Sequence, residues 1–229
     1  LITSTTDFSN NTKALLDKMG TAKGAIINIG DVTTAAYFKT VTFASLKAAL
    51  AAAGLPSTTD IYIATGAGPR AATAEDLFLL GSQTQYASIG DTTVGAGASG
   101  TQPYGLHPLN PFETQHVLDK DEVALVQTAI SNFNTILQTE ATSRGLAYVD
   151  IAATVTTAST TGYTDTVGGI TYSTAFISGG IFSLDGLHFT PAGNALVANE
   201  VINAINTKYS ATIPLLNPAL FNTVTIAAQ

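Results

Sequence analysis

The sequence predicts an α/β layered domain built on a mostly parallel sheet. Short unbroken apolar runs read as strands covered on both faces, and helical patterns separate them in the order helix–strand–helix–strand–helix. Composition agrees: 45% of the 229 residues are hydrophobic, mean hydropathy is +0.28 and only 11% are charged, so the chain can bury a sizeable core, and composition argues against disorder across most of it. No sharp linker or internal repeat interrupts the chain, and it reads as one domain over residues 1–229.

Residues 7–24 (DFSNNTKALLDKMGTAKG) place Phe8, Leu15, Leu16 and Met19 near helical spacing, with Gly20 as a stop. AIINI, residues 25–29, is the first strand, ending at Gly30–Asp31. ASLKAALAAAG (44–54) is a short Ala-rich helix closed by Gly54. DIYIATG (60–66) reads as a strand, and TAEDLFLLG (73–81) as a short helix or a strand. Residues 82–111 turn to Gly, Thr, Ser and Pro, densest in GAGASGTQPYG (95–105), and predict a long surface loop; the loop insertion extends over about 82–115. The longest helix spans 118–145: Asp119 and Glu122 fit a capping box, Val123, Val126, Ile130, Phe133 and Leu137 form one apolar stripe, and Gly145 closes it. LAYVDI (146–151) is the second convincing strand. A last helix begins at Thr190–Pro191, a cap followed by a proline that the first turn tolerates. Two core strands are few for a layered sheet, which usually has about five.

Sixteen acidic against nine basic residues give a net charge of −7 and a pI near 4.7, which argues against nucleic acid and anionic membrane surfaces as partners. The absence of cysteine removes disulfides, thiolate metal sites and a cysteine nucleophile. No apolar run reaches the roughly 18 residues of a membrane span. Low charge with abundant Thr, Ser, Ala and Asn suits an exported protein, extracellular or on the cell surface. The chain opens on Leu1 and reads as a processed or truncated product.

Asp185 and His188 form a close acid–histidine pair in a loop just before the Thr190 helix. A histidine so placed can take a proton from a hydroxyl nucleophile while the aspartate orients its other ring nitrogen. A bare D-x-x-H can equally be a loop-shaping aspartate beside a surface histidine. Asp31 and Asp150 end the two strands, where open α/β sheets bind ligands, but where capping is the plainer role. His107 and His116 flank PLNPFETQ, as substrate-entrance or ordinary surface residues. Arg70 binds an anion or pins its loop. Ser82 and Ser99 show no strand–turn–helix setting. Three scattered histidines make no metal pattern, GAGASG has the wrong spacing for a phosphate loop, and no cofactor is implied.

GIFSLDGLHFTPAGNALVANEVINAIN resembles the C-terminal catalytic block of the GDSL, or SGNH, ester hydrolases, closest to large exported and often lipid-anchored members from Bacteroidetes-type bacteria. KGAIINIGDVTTAAYFKTV (23–41), GPRAATAEDLFLLG (68–81) and HVLDKDEVALVQTAISNFN (116–134) are similar to other segments of that family, in family order. The resemblance implies a three-layer α/β/α flavodoxin-like domain and serine-based hydrolysis of a lipid, short acyl or acetylated-sugar ester, with Asp185 and His188 as the catalytic pair. The family's G-D-S-L and G-x-N-D blocks do not occur here; Thr92 in IGDTT is only an echo of the first. In family terms 25–29 and 146–151 are strands four and five, and the first three strands, with the serine, belong to an N-terminal fragment of the same precursor. The alternative is a non-catalytic binding or interaction module on the same scaffold.

Overall fold

The computed structural model describes residues 2–224, which form two compact units: residues up to Ala35 together with those from Leu125 onward, and Ala36–Ala124. In chain order, α1 (Thr5–Met19) leads into β1 (Ala25–Ile27), and a 3₁₀ turn, Val32–Thr34, ends the first stretch of unit 1. Unit 2 follows with α2 (Ala36–Lys39), α3 (Phe43–Ala52), β2 (Tyr62–Ile63), β3 (Arg70–Ala71), β4 (Leu77–Phe78), α4 (Gln83–Ala87) and β5 (Val117–Leu118). Then come α5 (Lys120–Ser143), β6 (Ala147–Val149), α6 (Ile151–Thr160), β7 (Tyr163–Thr164), β8 (Thr171–Tyr172) and α7 (Pro191–Tyr209).

Unit 1 is the α/β layered part. β1 and β6 pair in parallel, Ile26 opposite Tyr148, so the two apolar runs read as strands form one sheet. Alternation along the strands then splits the side chains between two faces. Ile26 and Tyr148 pack with Leu16 of α1 and with Leu137 and Ala141 of α5. Ile27 on the opposite face meets Val197 of α7 across a cavity, which makes three layers, α/β/α. Phe8 of α1 stacks on Phe133 of α5 with ring centroids 4.0 Å apart. Arg144 links the ends of these helices, bonding Glu140 at 3.0 Å and Asp17 at 2.6 Å. Among the described residues β1 pairs on one side only, leaving its other edge open.

The strand termini show what their aspartates do. Asp31 caps the 3₁₀ turn, accepting from the Thr33 N–H at 2.9 Å. Asp150 caps α6 through the Ala153 N–H at 3.0 Å and also accepts from the buried Asn28 amide at 2.7 Å. Asp150→Ala removes a helix cap and strands a buried donor, so it is expected to cost roughly 2–3 kcal/mol, read as a drop in unfolding free energy in urea.

Unit 2 is held by an aromatic core in which Phe112, fully buried, meets Tyr104, Tyr86 and Phe78 edge-on at 5.0, 5.2 and 6.2 Å between centroids. Residues 73–81, helix or strand from the sequence, contain β4, which pairs antiparallel with β5; β2 and β3 form a second antiparallel ladder. The Asp119–Glu122 capping box forms at the start of α5, with reciprocal bonds of 3.1 Å.

The Gly-rich stretch after Ser82 is fitted to this core rather than draped over it. Asn110, wholly buried, donates to the Val94 and Gln102 carbonyls at 2.9 and 3.0 Å and accepts from the Gly97 N–H at 3.1 Å. Gly95, at φ +90°, leaves no room for a Cβ beside Asn110 and Tyr104, and a Cβ at Gly97 would lie 1.8 Å from the Leu109 carbonyl oxygen. No helix among the described residues is long and apolar enough to cross a membrane.

Candidate active site

The Asp185–His188 loop is a tight turn closed at its base. Phe182 and Phe189 bridge antiparallel, their rings stacked at 5.5 Å, while the Ser183 N–H bonds the His188 carbonyl at 2.8 Å. Gly186, at φ +72°, makes the reversal. Below the turn, Thr190 caps α7 by accepting from the Gly193 N–H at 3.0 Å and donates to the Gly180 carbonyl at 2.6 Å. Gly193 is required there because a Cβ would come 2.5 Å from the Ile181 carbonyl oxygen. The catalytic candidates thus stand on a loop locked to a rigid helix.

Within the turn, His188 Nδ1 lies 2.5 Å from Asp185 Oδ2. The other carboxylate oxygen, Oδ1, accepts from the Ser183 hydroxyl at 2.7 Å and from the Leu187 and His188 N–H groups at 2.9 Å each. The bond to His188, reinforced by the Leu187 N–H and the Ser183 hydroxyl, holds the Asp185 carboxyl well below the usual carboxylate range. With Nδ1 committed to Asp185, the nitrogen left to handle a substrate proton is Nε2, on an imidazole that is 85% exposed. Ser183, whose role has no sequence signature beyond its nearness to Asp185, completes the support of the carboxylate.

Beside the turn, unit 1 contains an apolar cavity of about 260 Å³, lined by Ile27, Val155, Phe182, Leu187, Phe189 and Val197 among others. Leu187 and Phe189 are the immediate chain neighbours of His188. Asp31 also borders this cavity, whereas Asp150 is spent on its cap and on Asn28.

Compared with descriptions of known protein families, residues 82–201 match the GDSL-like lipase/acylhydrolase. The chain belongs to this family. The match covers more than half of the sequence and contains both Asp185 and His188. No curated protein and no solved structure matches the chain. For a GDSL-like chain, a family of ester hydrolases, the mixed α/β architecture with a parallel β1–β6 pair is the fold expected from the sequence.

The remaining candidates fall elsewhere. Arg70 is pinned, its guanidinium clamping Asp76 at 2.6 and 2.9 Å, and so holds its loop. His107 closes a local turn, accepting from the Leu109 N–H at 3.2 Å. His116 is not a surface residue: its side chain is 14% exposed and Nδ1 bonds the Ser82 hydroxyl at 2.9 Å. Nor does Ser82 lack a strand–turn–helix setting, since it links β4 to α4 through the 3₁₀ turn Leu80–Ser82. The sequence leaves 73–81 open between helix and strand because the two residues of β4 are too short to show alternation. Among the described residues no cluster of three or more His, Asp or Glu side chains converges as a metal site.

Proposed function

We propose that this GDSL-like protein is a serine ester hydrolase in which His188 is the general base and Asp185 its positioning partner. The observation that carries the reading is the 2.5 Å pairing of Asp185 with His188 Nδ1, which turns Nε2 to the task of a base. In the reaction, Nε2 takes the proton of a serine hydroxyl as its oxygen bonds the ester carbonyl carbon. Asp185 stabilises the imidazolium, which then returns the proton to the departing alkoxide; water, deprotonated by the same Nε2, then releases the acid from the acyl-serine and frees the hydroxyl. The serine comes from another segment of the same protein, as the resemblance implies. The open edge of β1 supports this reading, since an unpaired strand edge is a ready template for a further strand.

The apolar cavity lined by Leu187 and Phe189, the chain neighbours of His188, favours an aliphatic acyl group over acetyl as the moiety bound. Burying a methylene is worth about 0.8 kcal/mol, so kcat/KM for p-nitrophenyl esters, measured on the protein with its serine-bearing segment, is expected to rise by up to about fourfold per added carbon until the cavity is full. Val155→Phe narrows the cavity and moves the optimum to shorter chains. A profile that is highest at acetate and falls steadily thereafter sinks the acyl-pocket reading. Absence of hydrolysis with every ester, alongside tight binding of a glycan or protein, returns the chain to the class of binding modules.

A further inference from the structure

Unit 2 contains a second serine–histidine–carboxylate arrangement, which the reaction above does not use. Ser82 occupies the N-cap position of α4, where a serine ordinarily turns its hydroxyl onto the first N–H groups of the helix. Here it makes no capping bond, and its Oγ instead lies 2.9 Å from His116 Nδ1. Across the ring, His116 Nε2 lies 3.6 Å from Glu113 Oε2. Glu113 is fixed in turn: Oε1 accepts from the Ala96 N–H at 2.9 Å and Oε2 from the Tyr104 hydroxyl at 2.5 Å.

The Ser82–His116 bond is not needed to hold the chain in place. The His116 carbonyl is already tied by the Tyr86 hydroxyl and by the Leu79 N–H at 3.1 Å, next to the β4–β5 ladder. His116 and Glu113 also face open space. With Thr84, Gln85, Ser88 and Tyr104 they line a cavity of about 290 Å³, contained in unit 2.

We propose that Ser82, His116 and Glu113 form a second hydroxyl-activating site, separate from Asp185 and His188, that takes a small acyl ester through this cavity. Ser82 Oγ bonds the ester carbonyl carbon as its proton passes to His116 Nδ1. The imidazolium, facing Glu113, delivers that proton to the leaving alkoxide, and water then releases the acid from acyl-Ser82. Glu113, beyond hydrogen-bond reach at 3.6 Å, is a positioning residue that acts by charge. Ser82 itself is 5% exposed, so the electrophile reaches it past His116 and has to be small.

The test is covalent trapping on the 229-residue chain with diisopropyl fluorophosphate. Serine oxygen displaces fluoride at phosphorus, its proton goes to the base, and the adduct survives peptide mass spectrometry. The expected result is a single adduct on Ser82, forming about 100-fold more slowly in His116→Gln. Glu113→Gln, which keeps an acceptor for Tyr104 but removes the charge, slows the reaction, and Glu113→Asp restores part of it. Folded wild-type protein with no adduct on Ser82 overturns the proposal, and this readout needs no variant to fold. An adduct whose rate ignores His116→Gln also overturns it. Either failure bears on Ser82 alone and leaves the Asp185–His188 pair to its own test.

Discussion

His188→Ala is expected to lower kcat for ester hydrolysis by about 10⁴-fold, with a much smaller effect on KM. The base acts only as the proton moves, so its loss falls on the transition state rather than on substrate binding. The variant has little reason to misfold. The imidazole is 85% exposed, and the main-chain bonds that shape the turn, Ser183 N–H to the His188 carbonyl and His188 N–H to Asp185, do not need the ring. Asp185→Asn is the informative companion. An amide presenting its NH₂ to Nδ1 reverses the donor and acceptor roles across that bond, placing the proton on Nε2, where a base must be bare. Steady-state kinetics on the protein with its serine-bearing segment decides the matter: wild-type turnover in His188→Ala removes the residue from the mechanism. The Asp185 carboxyl, held well below the usual range by His188, stays ionised through mildly acidic solution, so loss of activity there is not the titration of Asp185.

The second large effect is on stability. Asp76 is fully buried in its side chain and receives five hydrogen bonds: two from Arg70, two from Thr73 and one from the Lys120 N–H. Burial pushes its carboxyl up, but the Arg70 bond and the N–H groups of Thr73 and Lys120 outweigh that push and hold it below its ordinary value. Arg70→Ala leaves a desolvated carboxylate without its countercharge and is expected to cost about 3 kcal/mol, read from hydrogen exchange of unit 2 amides or from urea unfolding at neutral pH.

The pH dependence has a definite sign. A depressed folded-state value means that the contribution is fully present above the unfolded value near 3.9 and fades as pH falls through the lower folded value. In the variant, burial unopposed by Arg70 favours the neutral acid. The gap between wild type and variant therefore narrows on acidification. A loss below about 1 kcal/mol at neutral pH, the size of an exposed pair, shows that water screens the site.

Much of the α/β frame was legible from sequence because its signals are long or chemically sharp. The runs 25–29 and 146–151 pair in parallel as read, and Thr190–Pro191 and Asp119–Glu122 start their helices with the caps expected of them. Asp185 and His188 stood out by their spacing together with their place just before a capped helix. What spacing could not convey is that Ser183 and two backbone N–H groups converge on the same carboxylate, which is a property of the closed turn. Unit 2 was harder. Its strands are two residues long, too short for any periodicity, and its order comes from single buried groups such as Asn110 and Phe112 whose partners lie several residues or more away. That is why Ser82 and His116 read as loop residues, and why Arg70 could be assigned to pinning only once Asp76 was seen beneath it.

Residues 95–105 have the composition of a flexible tether, the kind of segment chosen for a tag or a graft. Their packing says otherwise. With Gly97 pressed on the Leu109 carbonyl and Gly95 against Asn110, an alanine at either site has nowhere to put one methyl group. Substitution is therefore tolerated here only where side chains turn outward, and an insertion belongs at the exposed residues around Gly100 rather than at Gly95 or Gly97.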